Sequence, residues 1–341
     1  MTKIHCFTSV SFSYLNRARV LAETVKKYHP DWTLWLGLSD EPPPGFELDL
    51  ESESFDRVIR VQDLPIPDLR SWIFGHNVVE LCTAVKGEML CMILDEGPDK
   101  VVYLDPDIAL FRDISPVIEA LETSAVVLTP HLLKPEQTLH GILDNEIGSL
   151  KHGVYNLGFI AVRNCPEGRA AARWWADRLR SFCHENVPGG LFTDQRWCDL
   201  MPAFFPHVHI LRDPGYNVAC WNLSNRPISF EPDGEIFADE VPLRFFHFTK
   251  VNTVGEAVLE LYAGGRSEVF ELLHWYRGRL SDHTSGGIPG GWFAFGSYED
   301  GTPIPQEHRI VYRSRADLRS HFPDPFRSGA DSLQSWFAKS G

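Results

Sequence analysis

The chain has 341 residues, 43% of them hydrophobic and 23% charged, which is the composition of an ordinary globular protein long enough to bury a substantial core. Its 46 acidic residues outnumber 32 basic ones for a formal net charge of −14, and no basic run occurs, so nucleic acid is not expected as a partner. The seven cysteines are odd in number, scattered and without a Cys-x-x-Cys pair, which speaks against a disulfide frame or a zinc site. With no signal-peptide pattern at the start and no apolar run of about 18 residues, a cytoplasmic protein without a transmembrane segment is expected.

In chain order, Ile4–Val10 is rich in strand formers, and Leu15, Ala18, Leu21, Ala22 and Val25 then recur at helical spacing, giving a first β-α unit. Thr33–Leu38 and Arg57–Val61 predict further strands, with a break at Pro42-Pro-Pro-Gly45 between them. Neither Gly-x-Gly-x-x-Gly nor a Gly-x-x-x-x-Gly-Lys-Ser/Thr loop follows the first strand, so a dinucleotide or P-loop site is disfavoured. From Asn77 to Leu94 the apolar positions describe one long, largely buried helix with Lys86 inside it. Such a lysine ordinarily lays its stem on the core and puts its amine in water; aimed at the strand edge instead, it would serve a phosphate, and methionine in its place should then leave folding intact while removing that contact.

The central stretch is Val101-Val-Tyr-Leu-Asp105-Pro-Asp107-Ile-Ala-Leu-Phe111. A buried strand ends in two carboxylates two residues apart, which must share one side, and Pro106 releases the backbone into a loop. Hard oxygen ligands at a strand's carboxyl edge suit Mg²⁺ or Mn²⁺ shared with a ligand's phosphates, while Asp-Pro-Asp is equally a common turn. Ala125–Leu128 is the next strand, and Tyr155–Val162 another, with Asn156 and Gly158 at its mouth; the glycine fits either a close ligand approach or a bulge. Gly168–Cys183 is a helix whose Trp174 and Trp175 read as packing. Asp194-Gln195 precedes an apolar helix that Asp194 could simply cap. His247, between aromatics in Leu243–Lys250, is a core histidine unless it joins Asp105 and Asp107 on a metal. Alternating strands and helices point to an α/β fold with a mostly parallel sheet covered on both faces. The boundaries expected are a main domain over 1–277, a glycine-rich linker over 278–291 and an appendage over 292–341 packed back on the main domain.

Over Ile4 to Lys250 this order of motifs resembles GT-A glycosyltransferases, in particular the retaining glycogenin and bacterial lipooligosaccharide galactosyltransferase family, and its wording is similar to a group of bacterial polysaccharide glycosyltransferases. The resemblance implies a Rossmann-like GT-A domain and a nucleotide-sugar donor such as a UDP-sugar. It implies a saccharide or glycolipid acceptor, work on a surface polysaccharide or glycoconjugate, and room for peripheral contact with a membrane. It puts Thr8, Ser9, Arg17, Lys86, Asp105 and Lys250 around the donor, and Mn²⁺ or Mg²⁺ on Asp105, Asp107 and His247. Asn156, Asp194 and Gln195 fall beneath the donor sugar, in a reaction that retains the anomeric configuration. Lys250 stands where the family's His-x-x-Gly-x-x-Lys motif has glycine, and no lysine follows three residues on, so the diphosphate clamp must differ. A glycan-binding protein that lost turnover, or a sugar nucleotidyltransferase using a nucleoside triphosphate, are the rival readings.

Overall fold

The computed structural model describes residues 2–249, 251 and 254–340. Its centre is a seven-stranded sheet in which β1 (Ile4–Val10), β2 (Thr33–Leu38), β3 (Arg57–Arg60), β4 (Lys100–Leu104), β6 (Val126–Pro130) and the strand Val208–Ile210 run parallel, while β7 (Tyr155–Arg163) runs against its neighbours β4 and β6. β5 (Ile108–Leu110) leaves this sheet and pairs antiparallel with Phe245–His247, setting His247 opposite Ile108. The central strands β4 and β7 are buried on both faces, as their near-continuous apolar runs require.

The helices up to residue 182 are α1 (Leu15–Tyr28), α2 (Leu69–Phe74), α3 (Val78–Ala84), α4 (Lys86–Asp95), α5 (Ser115–Ala120), the short α6 (Leu139–Gly141) and α7 (Ile147–His152), and α8 (Pro166–Phe182). The single helix expected over Asn77–Leu94 is two, α3 and α4, separated at Val85. Asn77 caps the first, its side chain accepting from the Glu80 N–H while the Glu80 carboxylate accepts from the Asn77 N–H. α3, α4 and α8 cover one face; α1 and α5 cover the other. A close crossing holds α4 to α8, because a Cβ on Gly87 would come within 2.5 Å of Ala176 Cα. Trp175 is wholly buried in that layer, its indole N–H donating to the Asp194 carbonyl at 3.1 Å.

The glycine-rich stretch begins inside the helix Glu268–Asp282, so residues 278–282 are helical. Beyond it, Phe295, Tyr298, Ile304, Tyr312, Leu318 and Phe326 are buried in the same core as Phe74. The Arg309 guanidinium fastens that segment, donating to the carbonyls of Phe74, His76 and Phe295 at 2.7 to 3.0 Å. No described helix is long and apolar enough to cross a membrane.

Candidate active site

Asp105-Pro106-Asp107 is a turn and a site at once. The Ile108 N–H closes on the Asp105 carbonyl at 3.1 Å, with Pro106 at the second turn position, and the Asp105 N–H is held by the Gly158 carbonyl at 2.8 Å. That turn swings β5 out of the sheet and brings Asp107 against the strand carrying His247, whose Phe248 N–H bonds the Asp107 carbonyl at 2.8 Å. His247 Nε2 lies 3.0 Å from Asp107 Oδ1 and 3.8 Å from Asp105 Oδ2, and one ligand atom from each of the three residues lies within 4.8 Å of the others.

The surroundings orient these groups. Asn217 Oδ1 lies 3.3 Å from His247 Nδ1, which fixes a proton on that nitrogen and leaves the Nε2 lone pair to take a proton or an ion. Asn217 sits at φ +53°, a left-handed conformation that asparagine tolerates, and its own amide is tied to Thr129 Oγ1 and Asn156 Oδ1 at 2.9 and 3.0 Å. Gly158 lies where β7 is irregular, in the stretch over which its register against β6 shifts from Leu128 opposite Ile160 to Pro130 opposite Tyr155. A Cβ there would stand 2.6 Å from His247 Cε1, so the glycine makes room for the imidazole. Burial alone would lower the His247 pKa, but the Asp107 and Asp105 carboxylates raise it overall; burial would raise Asp107, and His247 holds it down.

Lys86 departs from the ordinary lysine. Its amine is buried rather than in water, 2.9 Å from Asp194 Oδ2, 3.0 Å from Asp105 Oδ1 and 3.2 Å from the Leu157 carbonyl, over the Tyr103 ring. Burial would lower its pKa, yet the two carboxylates outweigh burial and raise it. Methionine in its place would strand Asp194 as a buried charge. The Tyr103 hydroxyl also donates to Asp105 Oδ1. Asp105 Oδ1 is thus spent on Lys86 and Tyr103, while Oδ2 faces His247.

Asp194 is no helix cap. Its carboxylate takes the Thr193 hydroxyl at 3.1 Å and the Lys86 amine, and burial raises its pKa against the pull of Lys86. Gln195 Oε1 accepts from the Leu157 N–H and the Asn156 amide at 3.2 and 3.3 Å, and its own amide donates to the His152 carbonyl. Asn156, Asp194 and Gln195 therefore form a packed layer around Lys86 and His247, and none of them lines the cleft.

That cleft, of about 310 Å³, is lined by Lys86, Tyr103, Asp105 and Asp107 together with Ser9, Ser11, Ser13, Tyr14, the α3 edge and Trp292. Ser9 lines it but spends its hydroxyl on Ser39 and the Cys82 carbonyl. Thr8, expected beside the donor, is wholly buried outside the lining, with its hydroxyl unpartnered. Arg17 lies over the Tyr14 ring at 3.9 Å, and against the burial that would raise the Asp107 pKa it adds to the larger pull of His247 that lowers it. Lys250 lies outside the described residues. Asn217, Tyr103 and Trp292 were not singled out from sequence; an asparagine inside the Asp213-Pro-Gly-Tyr-Asn217 turn was the one local signal.

No protein-family model matches the chain. It is 30% identical over 259 residues, 73% of this chain and 82% of the other, to the uncharacterized protein YfnF of Bacillus subtilis. The chain belongs to the YfnF family. A second relative of this YfnF-family protein, the uncharacterized protein YfnD of the same organism, is 25% identical over 267 residues, 76% of this chain and 82% of the other. Solved structures similar to it include the glycosyltransferase GlyE of Streptococcus pneumoniae, at 15% identity and TM-score 0.45, covering 82% of this chain and 64% of that one. The galactosyltransferase LgtC gives 15% identity and TM-score 0.45 over 85% of this chain and 98% of that one.

Proposed function

We propose that the protein is a glycosyltransferase that moves a sugar from a nucleoside diphosphate, such as UDP, to a hydroxyl of a saccharide or glycolipid acceptor. The observation that carries this reading is the meeting of Asp105 Oδ2, Asp107 Oδ1 and His247 Nε2 beside a cleft with a buried ammonium at its back. Two carboxylates and an imidazole locked in one tautomer are a donor set for Mn²⁺ or Mg²⁺, with the imidazole favouring Mn²⁺. A divalent ion bound there supplies a Lewis acid to the departing diphosphate. Lys86 sets a fixed positive charge beside Asp105, where a donor phosphate meets it through the cleft, and Arg17 adds a second cation near Asp107. Among the described residues no carboxylate beyond Asp105 and Asp107 lines the cleft as a base for an incoming hydroxyl, because Asp194 is buried and spent on Lys86 and Thr193. Transfer therefore proceeds with retention, the donor's own diphosphate oxygen taking the acceptor proton.

Calorimetry with UDP should show binding that depends on Mn²⁺ and disappears in Asp107→Asn; equal binding with and without metal refutes the reading. Proton NMR of the first disaccharide formed gives the anomeric coupling, and a β product from an α donor overturns retention.

A further inference from the structure

Part of the cleft is built by a segment far downstream of the stretch that resembles a glycosyltransferase. Gly291 and Trp292 reach the same cavity as Asp105 and Asp107. They are held there by two bonds to the loop after β2. The Trp292 indole N–H donates to the Glu41 carbonyl at 2.9 Å, and the Ala294 N–H donates to Asp40 Oδ1 at 2.8 Å. The cavity has two chemically different parts. Lys86, Asp105 and Asp107 are its charged lining groups, and the remainder, including Ser11, Ser13, Val78, Val79, Thr83 and Trp292, carries no charge. A nucleoside diphosphate has the same division, with its charge on the phosphates and none on the base.

We infer that Trp292 is the stacking surface for the nucleobase of the donor, an inference that rests on the glycosyltransferase reading. Three aromatic rings line the cavity, and one face of Tyr103 is covered by the Lys86 amine, 4.4 Å from the ring centroid. One face of Tyr14 is already covered by the Arg17 guanidinium, 3.9 Å from the ring centroid. Trp292 is half-buried, and its ring is fixed by the bond to Glu41 without using a face. A pre-set indole accepts any base through its π-face and costs little ordering on binding. The hydroxyls of Ser11 and Ser13, 3.0 Å apart, offer the ribose partners beside it.

The test compares Trp292→Leu and Trp292→Phe in calorimetry with Mn²⁺, using the best-bound of UDP, GDP and dTDP against inorganic diphosphate. Stacking on an aromatic ring predicts that Trp292→Leu weakens the nucleotide by roughly tenfold or more, while Trp292→Phe keeps most of the affinity. Inorganic diphosphate should bind all three proteins within about twofold, since it uses only the charged part. Equal nucleotide affinity in wild type and Trp292→Leu overturns the inference. So does a parallel loss for nucleotide and diphosphate accompanied by a lower melting temperature, which would make Trp292 a structural clasp. Failure of wild type to bind any of the three nucleotides, with Mn²⁺ present, instead removes the glycosyltransferase reading beneath it.

Discussion

Two buried clusters in this protein join a cation to a carboxylate, and they end differently. Around Arg313, the guanidinium bonds both oxygens of Glu80 at 3.0 and 3.1 Å, and those oxygens also accept the N–H groups of Glu185 and Asn77. Glu80 is closed off on every side. Burial would raise its pKa, but Arg313 and those N–H donors lower it, and His76 beside it is pushed down to about 4 by burial and by His184. Around Lys86, by contrast, Asp194 is sealed while the Asp105 side chain stays 24% exposed with one oxygen facing His247. A saturated cluster ties α3 to the segment carrying Arg313. A cluster with one unspent, cleft-facing oxygen is chemically available.

The largest expected effect separates the two on both stability and turnover. Lys86→Met leaves Asp194 as an unpaired buried charge, which should cost about 3–5 kcal/mol in urea unfolding. It should also slow transfer by tens- to hundredfold through the lost charge-assisted bond. Adding Asp194→Leu should restore most of the stability and none of the turnover. A single variant as stable as wild type would falsify the buried ion-pair assignment. Arg313→Met should be milder, about 2 kcal/mol, since Glu80 keeps its backbone donors. Its transfer rate per folded molecule should stay at the wild-type value, and a matching rate loss would erase the contrast drawn above.

Asp40 gives a pH test of the clasp that holds Trp292. Burial lifts its carboxyl to about 7, against the pull of the Ala294, Glu41 and Phe12 N–H groups. An unfolded aspartate loses its proton near pH 4, whereas the folded one keeps it until about 7, so the folded state binds the extra proton across that window. Stability should accordingly fall as pH rises, by about 2 kcal/mol between pH 5 and pH 7. Asp40→Asn should flatten that slope in chemical denaturation, and a slope that persists assigns it to another group. The smallest effect is expected of Gly158→Ala. Its new Cβ would push His247 aside, and Mn²⁺ affinity by calorimetry should drop by roughly tenfold. Undiminished metal binding in that variant would mean His247 is not a ligand.

The sheet and the strand-end pair Asp105 and Asp107 were legible in sequence because each rests on a short-range pattern. Apolar runs mark β4 and β7, and Asp105-Pro-Asp107 marks where β4 must end. His247 needed the family resemblance, since nothing local separates a ligand from a core histidine. The setting of Lys86 was hidden because its partners are 19 residues away at Asp105 and far downstream at Asp194, and helix periodicity shows burial without showing what is buried alongside. Asn217 and Trp292 escaped for a related reason, since each acts through hydrogen bonds to groups distant in the chain. Gly158 was noticed but its purpose was not, because the atom it makes room for belongs to a strand 89 positions later, 247 − 158 in the chain.

The clasp that brings Trp292 to the cleft has a consequence for synthesis. Asp40, Glu41, Asp105 and Asp107 are translated long before Trp292, and the segment bearing Trp292 is itself secured by Arg309 to Phe74 and His76. On the ribosome, the sheet can therefore assemble around a cleft that still lacks a wall. Ribosome-bound chains halted with residue 280 just outside the exit tunnel should present Asp105, Asp107 and His247 with that side open. Chains that have released residue 320 should present it closed.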